Sequence, residues 1–257
     1  MAAGDATYPS LRDRPVFITG GASGIGAELV AQFASQGARV AFVDIDRDAG
    51  TSLVERLAAD GDGSVPHFQT CDIRDIAALQ ASIAGAAAEV GPFEVLVNNA
   101  ANDDRHALED VTPDYWDERL NVNLRPHFFA IQSVAPMMRG AGGGSIVNLG
   151  SITWHAGFSG LPVYSTAKAA IEGLTRSMAR ELGPFRVRVN TLAPGWIMTE
   201  RQLTHWVTPE ADQLIARSQC LPDRLVPADV ARLVLWLASD DSRMCTNQLW
   251  VVDGGWI

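Results

Sequence analysis

The segment Thr19-Gly20-Gly21-Ala22-Ser23-Gly24-Ile25-Gly26 is a glycine-rich turn that follows the short apolar run Val16-Phe17-Ile18. Apolar residues then recur at helical spacing as far as Phe33, and Gly37 ends this run at the C′ position that glycine favours. A strand, a glycine turn and a helix in this order bring bare backbone to a helix N-terminus, where it can approach a pyrophosphate. The segment therefore predicts a dinucleotide-binding unit.

Outward from this unit, short β-branched runs alternate with helical patterns along nearly the whole chain. This alternation is typical of an α/β fold with a doubly wound parallel sheet and helices on both faces. It predicts one domain over residues 1–257, with residues 1–13 as a loose N-terminal tail. The seven predicted strands span residues 16–18, 40–43, 65–70, 95–97, 145–149, 187–192 and 249–252.

Two segments interrupt the alternating pattern. A long helix is expected to begin after Thr112, which is suited to the N-cap. Pro126 should kink this helix beside Asn123, because proline cannot donate a helical hydrogen bond. Residues 196–225 lie outside the framework, and we expect this insertion to cover the substrate.

Charge and cysteine content argue against several classes of function. The chain has 30 acidic and 20 basic residues, and its net charge of −10 opposes binding to nucleic acid or to an anionic membrane. No apolar stretch approaches the ~18 residues of a membrane span, and the N-terminus lacks a signal-peptide pattern. The odd, widely spaced Cys71, Cys220 and Cys245 suit reduced packing residues better than disulfides or a metal site. We therefore expect a cytoplasmic protein with a small-molecule partner and no metal.

Polar residues follow several predicted strands, on the side of an open α/β sheet where ligands bind. Asp44 ends the second strand, where a carboxylate can accept hydrogen bonds from both ribose hydroxyls of a dinucleotide and repel a 2′-phosphate. This favours NAD over NADP, although Asp44 could be an ordinary loop residue and Arg47 could hold a 2′-phosphate. Cys71-Asp72-Ile73 and Asn98-Asn99-Ala100-Ala101 end the third and fourth strands.

Tyr164 and Lys168 are four residues apart, on one face of a predicted helix. A free tyrosine titrates near pH ~10, so proton transfer at neutral pH requires a nearby positive charge that stabilises the phenolate. Ser151, at the end of the fifth strand, could hydrogen-bond the substrate oxygen while Tyr164 takes its proton. Alone, the Tyr–Lys pair is typical of an ordinary amphipathic helix, but its combination with the glycine turn, Asp44 and Ser151 indicates a catalytic site.

The same residues resemble the motif set of the short-chain dehydrogenase/reductase family, and the resemblance covers the chain from Arg14 to Gly255. It rests on Thr19-Gly20-x-x-x-Gly24-Ile25-Gly26, Asn98-Asn99-Ala100, Asn123, Ser151, Tyr164-x-x-x-Lys168 and Pro194-Gly195.

The resemblance implies a Rossmann-like fold, an NAD cofactor and a homotetramer. It implies that Tyr164 is the acid/base, that Lys168 lowers the tyrosine pKa and holds the nicotinamide ribose, and that Ser151 orients the substrate. Asn123 would anchor a water in a proton relay to Lys168. The expected cofactor contacts are Gly20, Ser23, Gly24, Ile25, Gly26, Asp44, Asp72, Ile73, Asn99, Ala100, Ala101, Tyr164, Lys168, Pro194, Gly195, Ile197 and Thr199.

The segments around the expected nicotinamide site are rich in polar and aromatic residues. A polyhydroxylated substrate needs such donors and acceptors, with aromatic faces against its C–H surfaces. The expected substrate contacts are Asn102, Asp103, Ser151, Trp154, His155, Tyr164, Trp196 and Arg201. For His155 a surface or packing role is an equal alternative, and Arg105 could pair with Asp103 or Asp104.

Several longer segments resemble one branch of the family, the bacterial aldose 1-dehydrogenases that act on D-xylose and similar pentoses. They include Asn102-Asp103-Asp104-Arg105-His106 and Tyr115-Trp116-Asp117-Glu118-Arg119. This resemblance implies oxidation of the anomeric carbon of a cyclic aldose to a lactone, with the hydride passing to NAD. Ile197-Met198 with Arg201-Gln202 also resembles dehydrogenases of deoxy sugars or sugar acids, so the sugar stays open.

Two other functions compete with sugar oxidation. A 3-oxoacyl or small-ketone reductase would prefer NADPH and an apolar pocket, against Asp44 and the polar loops. A non-catalytic NAD-binding sensor would be expected to lack Tyr164 or Lys168, and both residues are present.

Overall fold

The strands lie side by side in a parallel sheet. They are β1 (Pro15–Thr19), β2 (Arg39–Asp44), β3 (His67–Thr70), β4 (Val95–Asn98), β5 (Gly144–Leu149), β6 (Val187–Pro194) and β7 (Leu249–Val252). A computed structural model describes residues 6–61 and 63–257, and within them these strands form one seven-stranded sheet in the order β3-β2-β1-β4-β5-β6-β7. The predicted Rossmann-like, doubly wound sheet is confirmed.

The central strands are buried and largely apolar because both faces of the sheet are covered. β1 is buried throughout, and its register sets Ile18 beside Phe42 of β2 and Val97 of β4. β3 is shorter than the predicted strand 65–70. Pro66 has no N–H for the sheet, and Val65 stays exposed.

Helices pack on both faces of the sheet. They are α1 (Gly24–Ser35), α2 (Arg47–Asp60), α3 (Ile76–Val90), α4 (Pro113–Asn123), α5 (Arg125–Ala141), α6 (Pro162–Leu182), α7 (Glu200–His205), α8 (Pro209–Ser218) and α9 (Pro227–Ala238). One core cluster joins α1, α2 and α9 to the sheet through residues such as Leu29 and Val234. The other joins α3, α5 and α6 through residues such as Ile83 and Val134. No helix within the described ranges is long and apolar enough to cross a membrane.

The segment before β1 differs from the loose tail predicted for residues 1–13, of which residues 1–5 lie outside the described residues. Leu11 is fully buried in the cluster that contains α1. The backbone N–H of Tyr8 donates to Oε1 of Gln36 at 2.8 Å. The prediction was wrong for residues 6–13 because these partners lie on or near α1, far along the sequence.

The chain breaks between α4 and α5 rather than kinking. Thr112 caps α4 as predicted, accepting a hydrogen bond from the backbone N–H of Tyr115 at 3.1 Å. The helix ends at Asn123, and Leu124 then has φ −134°, which is not helical. Pro126 lies in the first turn of α5, where its missing N–H costs no helical hydrogen bond.

Residues 196–225 make a largely helical excursion between β6 and α9 that contains α7 and α8. The hydroxyls of Thr199 and Thr208 cap these two short helices. Trp196, Ile197 and much of α7 line the cleft described next. The sequence-predicted insertion therefore borders the site, and its covering role stays a prediction.

Candidate active site

A cleft of about 890 Å³ runs along the carboxyl ends of the central strands. The strand order reverses between β1 and β4, and ligands of doubly wound sheets bind outside such a reversal. Every residue predicted to contact the cofactor lines this cleft, from the glycine turn to Thr199. The structure thus brings together residues that are nearly 180 positions apart in sequence.

The glycine turn at the end of β1 leaves no room for side chains. Gly20 has φ +67°, and a Cβ there would lie 2.7 Å from the Cα of Ala100. A Cβ on Gly26 would collide with the carbonyl oxygen of Gly20. The N-terminus of α1 therefore faces the cleft as bare backbone, a cradle that suits a pyrophosphate.

Asn99 holds this cradle in shape. Its backbone N–H donates to Oγ1 of Thr19 at 3.0 Å. Its side-chain amide donates to the carbonyl oxygens of Thr19 at 3.0 Å and Gly20 at 2.8 Å. Asn99 lines the cleft, but its side-chain amide is bound to the glycine turn and holds that turn in shape.

Asp44 stands at the end of β2 with its carboxylate on the cleft wall. One oxygen, Oδ2, accepts a hydrogen bond from the backbone N–H of Ala22 at 2.9 Å, and Oδ1 accepts one from Asp46 at 3.0 Å. These bonds fix the carboxylate beside the glycine turn. A carboxylate oxygen has more than one lone pair, so each oxygen can still accept from a ribose hydroxyl.

Tyr164, Lys168 and Ser151 all line the cleft. Lys168 is buried, and its Nζ lies 5.5 Å from the centre of the Tyr164 ring, one helical turn away on α6. The ammonium donates to the carbonyl oxygen of Leu149 at 2.7 Å, which ties α6 to the end of β5. The Ser151 side chain lies close enough to Tyr164 to oppose the rise in the pKa of the tyrosine.

Burial has the largest effect on the pKa values of Tyr164 and Lys168. It raises the pKa of Tyr164 above its usual value; the charge of Asp103 adds to this, whereas the hydrogen bond with Ser151 and the charge of Arg105 oppose it. Burial lowers the pKa of Lys168 to about 7. The resemblance implied a lowered tyrosine pKa, but in this arrangement burial outweighs the favourable contributions.

Asn123 is fully buried, and its side chain serves the backbone of the neighbouring loop. Its Oδ1 accepts from the N–H of Asn102 at 2.8 Å, and its Nδ2 donates to the carbonyl oxygens of Asn102 and Arg119, each at 3.0 Å. Both amide protons are therefore in use, and Asn123 does not line the cleft. The side chain positions the loop after β4, so the predicted relay water would have to bind elsewhere on this residue.

Trp154 and His155 do not face the cleft as predicted. Their rings lie at an angle of 31° with centres 3.7 Å apart. The indole N–H of Trp154 donates to Oε1 of Glu172 on α6 at 3.0 Å, and Nε2 of His155 is hydrogen-bonded to the same oxygen at 2.9 Å. Neither residue lines the cleft, whereas the other predicted substrate contacts do. Their assignment as substrate contacts is not supported, because both side chains bind Glu172 of α6 instead.

Charged and amide side chains from the loop after β4 and from α7 form one wall of the cleft. Asp103, after β4, accepts from Nε2 of Gln202 at 2.7 Å and from Nε of Arg201 at 3.3 Å. Arg201 also pairs with Asp104, which in turn pairs with Arg119. These contacts join the loop after β4 to α7. The two predicted substrate contacts Asp103 and Arg201 thus lie together on the wall and bind each other.

Arg105 is a residue of this wall that was not among the expected substrate contacts. The ion pair with Asp103 or Asp104 that the sequence allowed does not form. Instead the Arg105 Cζ lies 5.5 Å from the ring centre of Trp196 and 5.1 Å from that of Trp206. Its side chain lines the cleft. The loop was singled out from the sequence, but loop residues have no periodicity that predicts which way a side chain points.

The chain is similar in sequence to known dehydrogenases and reductases. Residues 20–257 match the family model described as enoyl-(acyl carrier protein) reductase. The chain is 51% identical over 251 residues to the D-xylose 1-dehydrogenase of Caulobacter vibrioides, covering 98% of each chain. It is also 51% identical over 255 residues to a probable galactose dehydrogenase of Rhizobium meliloti, covering 99% of each.

Solved structures extend the match to the fold. A 7α-hydroxysteroid dehydrogenase complexed with NADH superposes with a TM-score of 0.90 at 31% identity, covering 96% of each chain. A blue fluorescent protein from a metagenomic library, in complex with NADPH, superposes with a TM-score of 0.87 at 34% identity, covering 96% of this chain and 99% of the other. The fold and the site define a nicotinamide-binding oxidoreductase. The chain belongs to the short-chain dehydrogenase/reductase family.

Proposed function

We propose that the protein is an NAD-dependent aldose 1-dehydrogenase that oxidises the anomeric carbon of D-xylose or a similar pentose to the lactone. The observation that carries this proposal is the position of Ser151 and Tyr164 in a cleft whose wall offers charged and amide groups, including Asp103. Sugar hydroxyls need such donors and acceptors. The likeness to a D-xylose 1-dehydrogenase over 98% of the chain supports the same substrate class.

The residues that line the cleft suit the successive parts of an NAD molecule. The bare backbone at Gly20 and Gly26 suits the pyrophosphate, and Asp44 suits the hydroxyls of the adenosine ribose. Asp44 also supports NAD over NADP, because its charge would repel a 2′-phosphate. When bound, NAD accepts the hydride that leaves the anomeric carbon.

Ser151, Tyr164 and Lys168 together remove the proton of the anomeric hydroxyl. Ser151 hydrogen-bonds the anomeric hydroxyl and orients it toward Tyr164. The hydroxyl proton passes to the phenolate oxygen of Tyr164 as the carbon loses its hydride, and the carbon–oxygen single bond becomes the carbonyl of the lactone. Lys168 in its ammonium form stabilises the phenolate before the transfer.

Competing functions are less well supported by the cleft. A 3-oxoacyl or small-ketone reductase needs an apolar channel, whereas Asp103, Arg201 and Gln202 make this wall polar. A non-catalytic sensor has no need for Ser151, Tyr164 and Lys168 to converge. We further propose a single cytoplasmic domain in which residues 196–225 cover the bound sugar, since Trp196 and α7 border the cleft.

A substrate screen tests the proposal. Reduction of NAD and of NADP is followed across pentoses, hexoses including D-galactose, deoxy sugars and sugar acids, and the product is identified by NMR. We expect the highest kcat/KM with NAD and a pentose, and a lactone as the first product. A parallel reaction supplies NADPH and a 3-oxoacyl thioester. Thioester reduction without oxidation of any sugar would contradict the proposed function.

A further inference from the structure

Among the residues that the structure describes, Arg105 has no carboxylate partner, although Asp103 and Asp104 directly precede it. Asp103 is bound by Gln202 and Arg201, and Asp104 is paired with Arg201. The guanidinium of Arg105 makes no hydrogen bond or ion pair with any residue in the ranges 6–61 and 63–257. Arginine carries five N–H donors and is always charged. This cleft therefore contains a full set of donors that no residue in the described ranges uses.

Two indoles hold this guanidinium in place. Its Cζ lies 5.5 Å from the ring centre of Trp196 and 5.1 Å from that of Trp206. Contact with a ring face engages the flat surface of a guanidinium and leaves the N–H groups at its edge for hydrogen bonds. The two rings belong to the segment that carries α7, so the donors are held where this segment meets the loop after β4.

The backbone around Arg105 is fixed as well. The N–H of Asp104 donates to Oδ1 of Asn102 at 2.9 Å, and the N–H of His106 donates to the carbonyl oxygen of Gly160 at 2.8 Å. The His106 ring is bonded to the Tyr115 hydroxyl at 2.9 Å. An arginine between two anchored neighbours loses little further freedom when a ligand binds, which favours affinity.

Arg105 lies in the cleft that contains the reacting groups. It lines the same cleft as Tyr164, and its charge acts on the tyrosine hydroxyl. Asp103 lines the cleft too, and its negative charge acts on both Tyr164 and Lys168. A cationic donor and an anionic acceptor beside one centre suit a neutral polyol, whereas an anionic sugar acid would meet the Asp103 carboxylate.

We propose that Arg105 is a specificity-determining residue that donates hydrogen bonds to a hydroxyl of the neutral sugar away from its reacting carbon. The proposal rests on the proposed function and names a subsite within it. Trp196 and Trp206 act as positioning residues for the guanidinium. A site that hydrogen-bonds a substrate hydroxyl discriminates against the analogue that lacks it, because the donor is then left unpaired beneath the bound sugar.

The test compares Arg105→Met and Arg105→Lys with the unmodified enzyme on a pentose and its set of monodeoxy derivatives. Arg139→Met is the matched control, since Arg139 also lies over an aromatic ring, Phe185, but outside the cleft. We expect Arg105→Met to lower kcat/KM for the parent sugar about tenfold or more, the range of a hydrogen bond to a charged group. The dissociation constant for NAD, from fluorescence titration, should not change.

The deoxy sugars give the decisive comparison. In the unmodified enzyme, kcat/KM should be at least about tenfold lower for one monodeoxy sugar than for the parent sugar. Arg105→Met should lose this difference and keep the differences for the other monodeoxy sugars. Arg105→Lys should recover part of it, because it restores a charged donor without the planar fork. Discrimination that survives unchanged in Arg105→Met would overturn the inference and leave the proposed function intact.

Two further outcomes would also overturn it. A uronic acid oxidised more efficiently than the neutral sugar, with that preference lost in Arg105→Met, would make Arg105 a receptor for anions. An equal loss of kcat/KM for every sugar in Arg105→Met would make it a structural residue of the loop. An unmodified enzyme that oxidises no sugar would remove the proposed function, and this subsite with it.

Discussion

The pKa values of Tyr164 and Lys168 shift in opposite directions on burial, and this determines how activity should depend on pH. Burial raises the pKa of Tyr164 and lowers that of Lys168 to about 7. Oxidation needs the pair with one proton removed, a form that includes the phenolate beside the ammonium. Because Lys168 has the lower pKa, the pair loses this proton as pH rises through about 7.

We therefore expect kcat for sugar oxidation to rise with pH through an apparent pKa near 7, well below the ~10 of a free tyrosine. Lys168→Met should move this rise above that of free tyrosine, since burial then acts on Tyr164 without the neighbouring ammonium. Steady-state kcat at saturating NAD and sugar measures both. A profile that is flat through neutral pH in the unmodified enzyme would show that another step or group limits the rate.

Removing the Tyr164 hydroxyl should separate catalysis from cofactor binding. Tyr164→Phe keeps the ring but loses the proton acceptor, so kcat should fall by at least the ~100-fold typical of a lost general base while NAD still binds. Tyr8→Phe is the control, because Tyr8 lies outside the cleft. Stopped-flow turnover and fluorescence titration of NAD give the two readouts. Near-normal turnover in Tyr164→Phe would mean that Tyr164 is not the base.

Asp44 should set the preference between the two nicotinamide cofactors. Its carboxylate would meet the 2′-phosphate of NADP with like charge, so kcat/KM should be higher with NAD. Asp44→Ala should reduce the NAD-to-NADP ratio about tenfold or more. Asp48→Ala serves as the control, since Asp48 lies in the first turn of α2 and does not line the cleft. Equal kcat/KM for both cofactors in the unmodified enzyme would contradict the prediction.

At the scale of an element, the tight join between β1 and α1 should tolerate no side chain at Gly26. A Cβ there collides with the carbonyl oxygen of Gly20 and approaches the Asn99 amide, so Gly26→Ala must displace the glycine turn. We expect weaker NAD binding and a lower free energy of unfolding. Isothermal titration with NAD and urea denaturation measure the two effects.

Gly173→Ala provides the matched control for this substitution. Gly173 lies inside α6, and a Cβ there would meet nothing within 4 Å. Alanine in an exposed helix is favoured over glycine by about 0.5–1 kcal/mol, so this variant should be slightly more stable and bind NAD normally. If Gly26→Ala behaved like Gly173→Ala, the close approach of backbone at the cradle would have no role.

At the scale of the whole molecule, β7 forms an open edge of the sheet. Leu249 and Val251 on this strand are 36% and 38% exposed, and Ile257 at the chain end is 50% exposed. Exposed apolar residues on an edge strand are a surface that proteins commonly cover. We therefore predict that this face is buried between copies of the chain in a homotetramer.

Light scattering on the purified protein tests the assembly. The unmodified chain should have the mass of a tetramer, and Val251→Lys should lower that mass because it places a charge in the contact. Val65→Lys is the control, since Val65 is also exposed and lies just before β3 at the other edge of the sheet. A monomeric mass for the unmodified protein would refute the prediction.

Local patterns predicted the parts of this protein whose determinants lie within a few residues of one another. Gly20 and Gly26 mark the turn because only glycine allows a positive φ or so close an approach of backbone. Thr112 marks the start of α4 because a capping hydroxyl satisfies an N–H three residues on. Apart from the start of β3, the strands and their doubly wound parallel arrangement follow from the same kind of signal, as do the helix face shared by Tyr164 and Lys168 and the place of Ser151 after β5.

Tertiary structure decided the roles of side chains whose partners are distant in sequence. The Asn123 amide binds Asn102, 21 residues away, and His155 pairs with Glu172, 17 residues away. Arg105 meets two indoles on a different loop, and no local pattern states where they lie. Burial likewise raises the pKa of Tyr164, and no local pattern states how deeply a side chain is buried. The physical reason is common to all of these: backbone conformation depends on neighbours along the chain, whereas hydrogen bonds, ion pairs and desolvation depend on what the fold brings within a few ångströms.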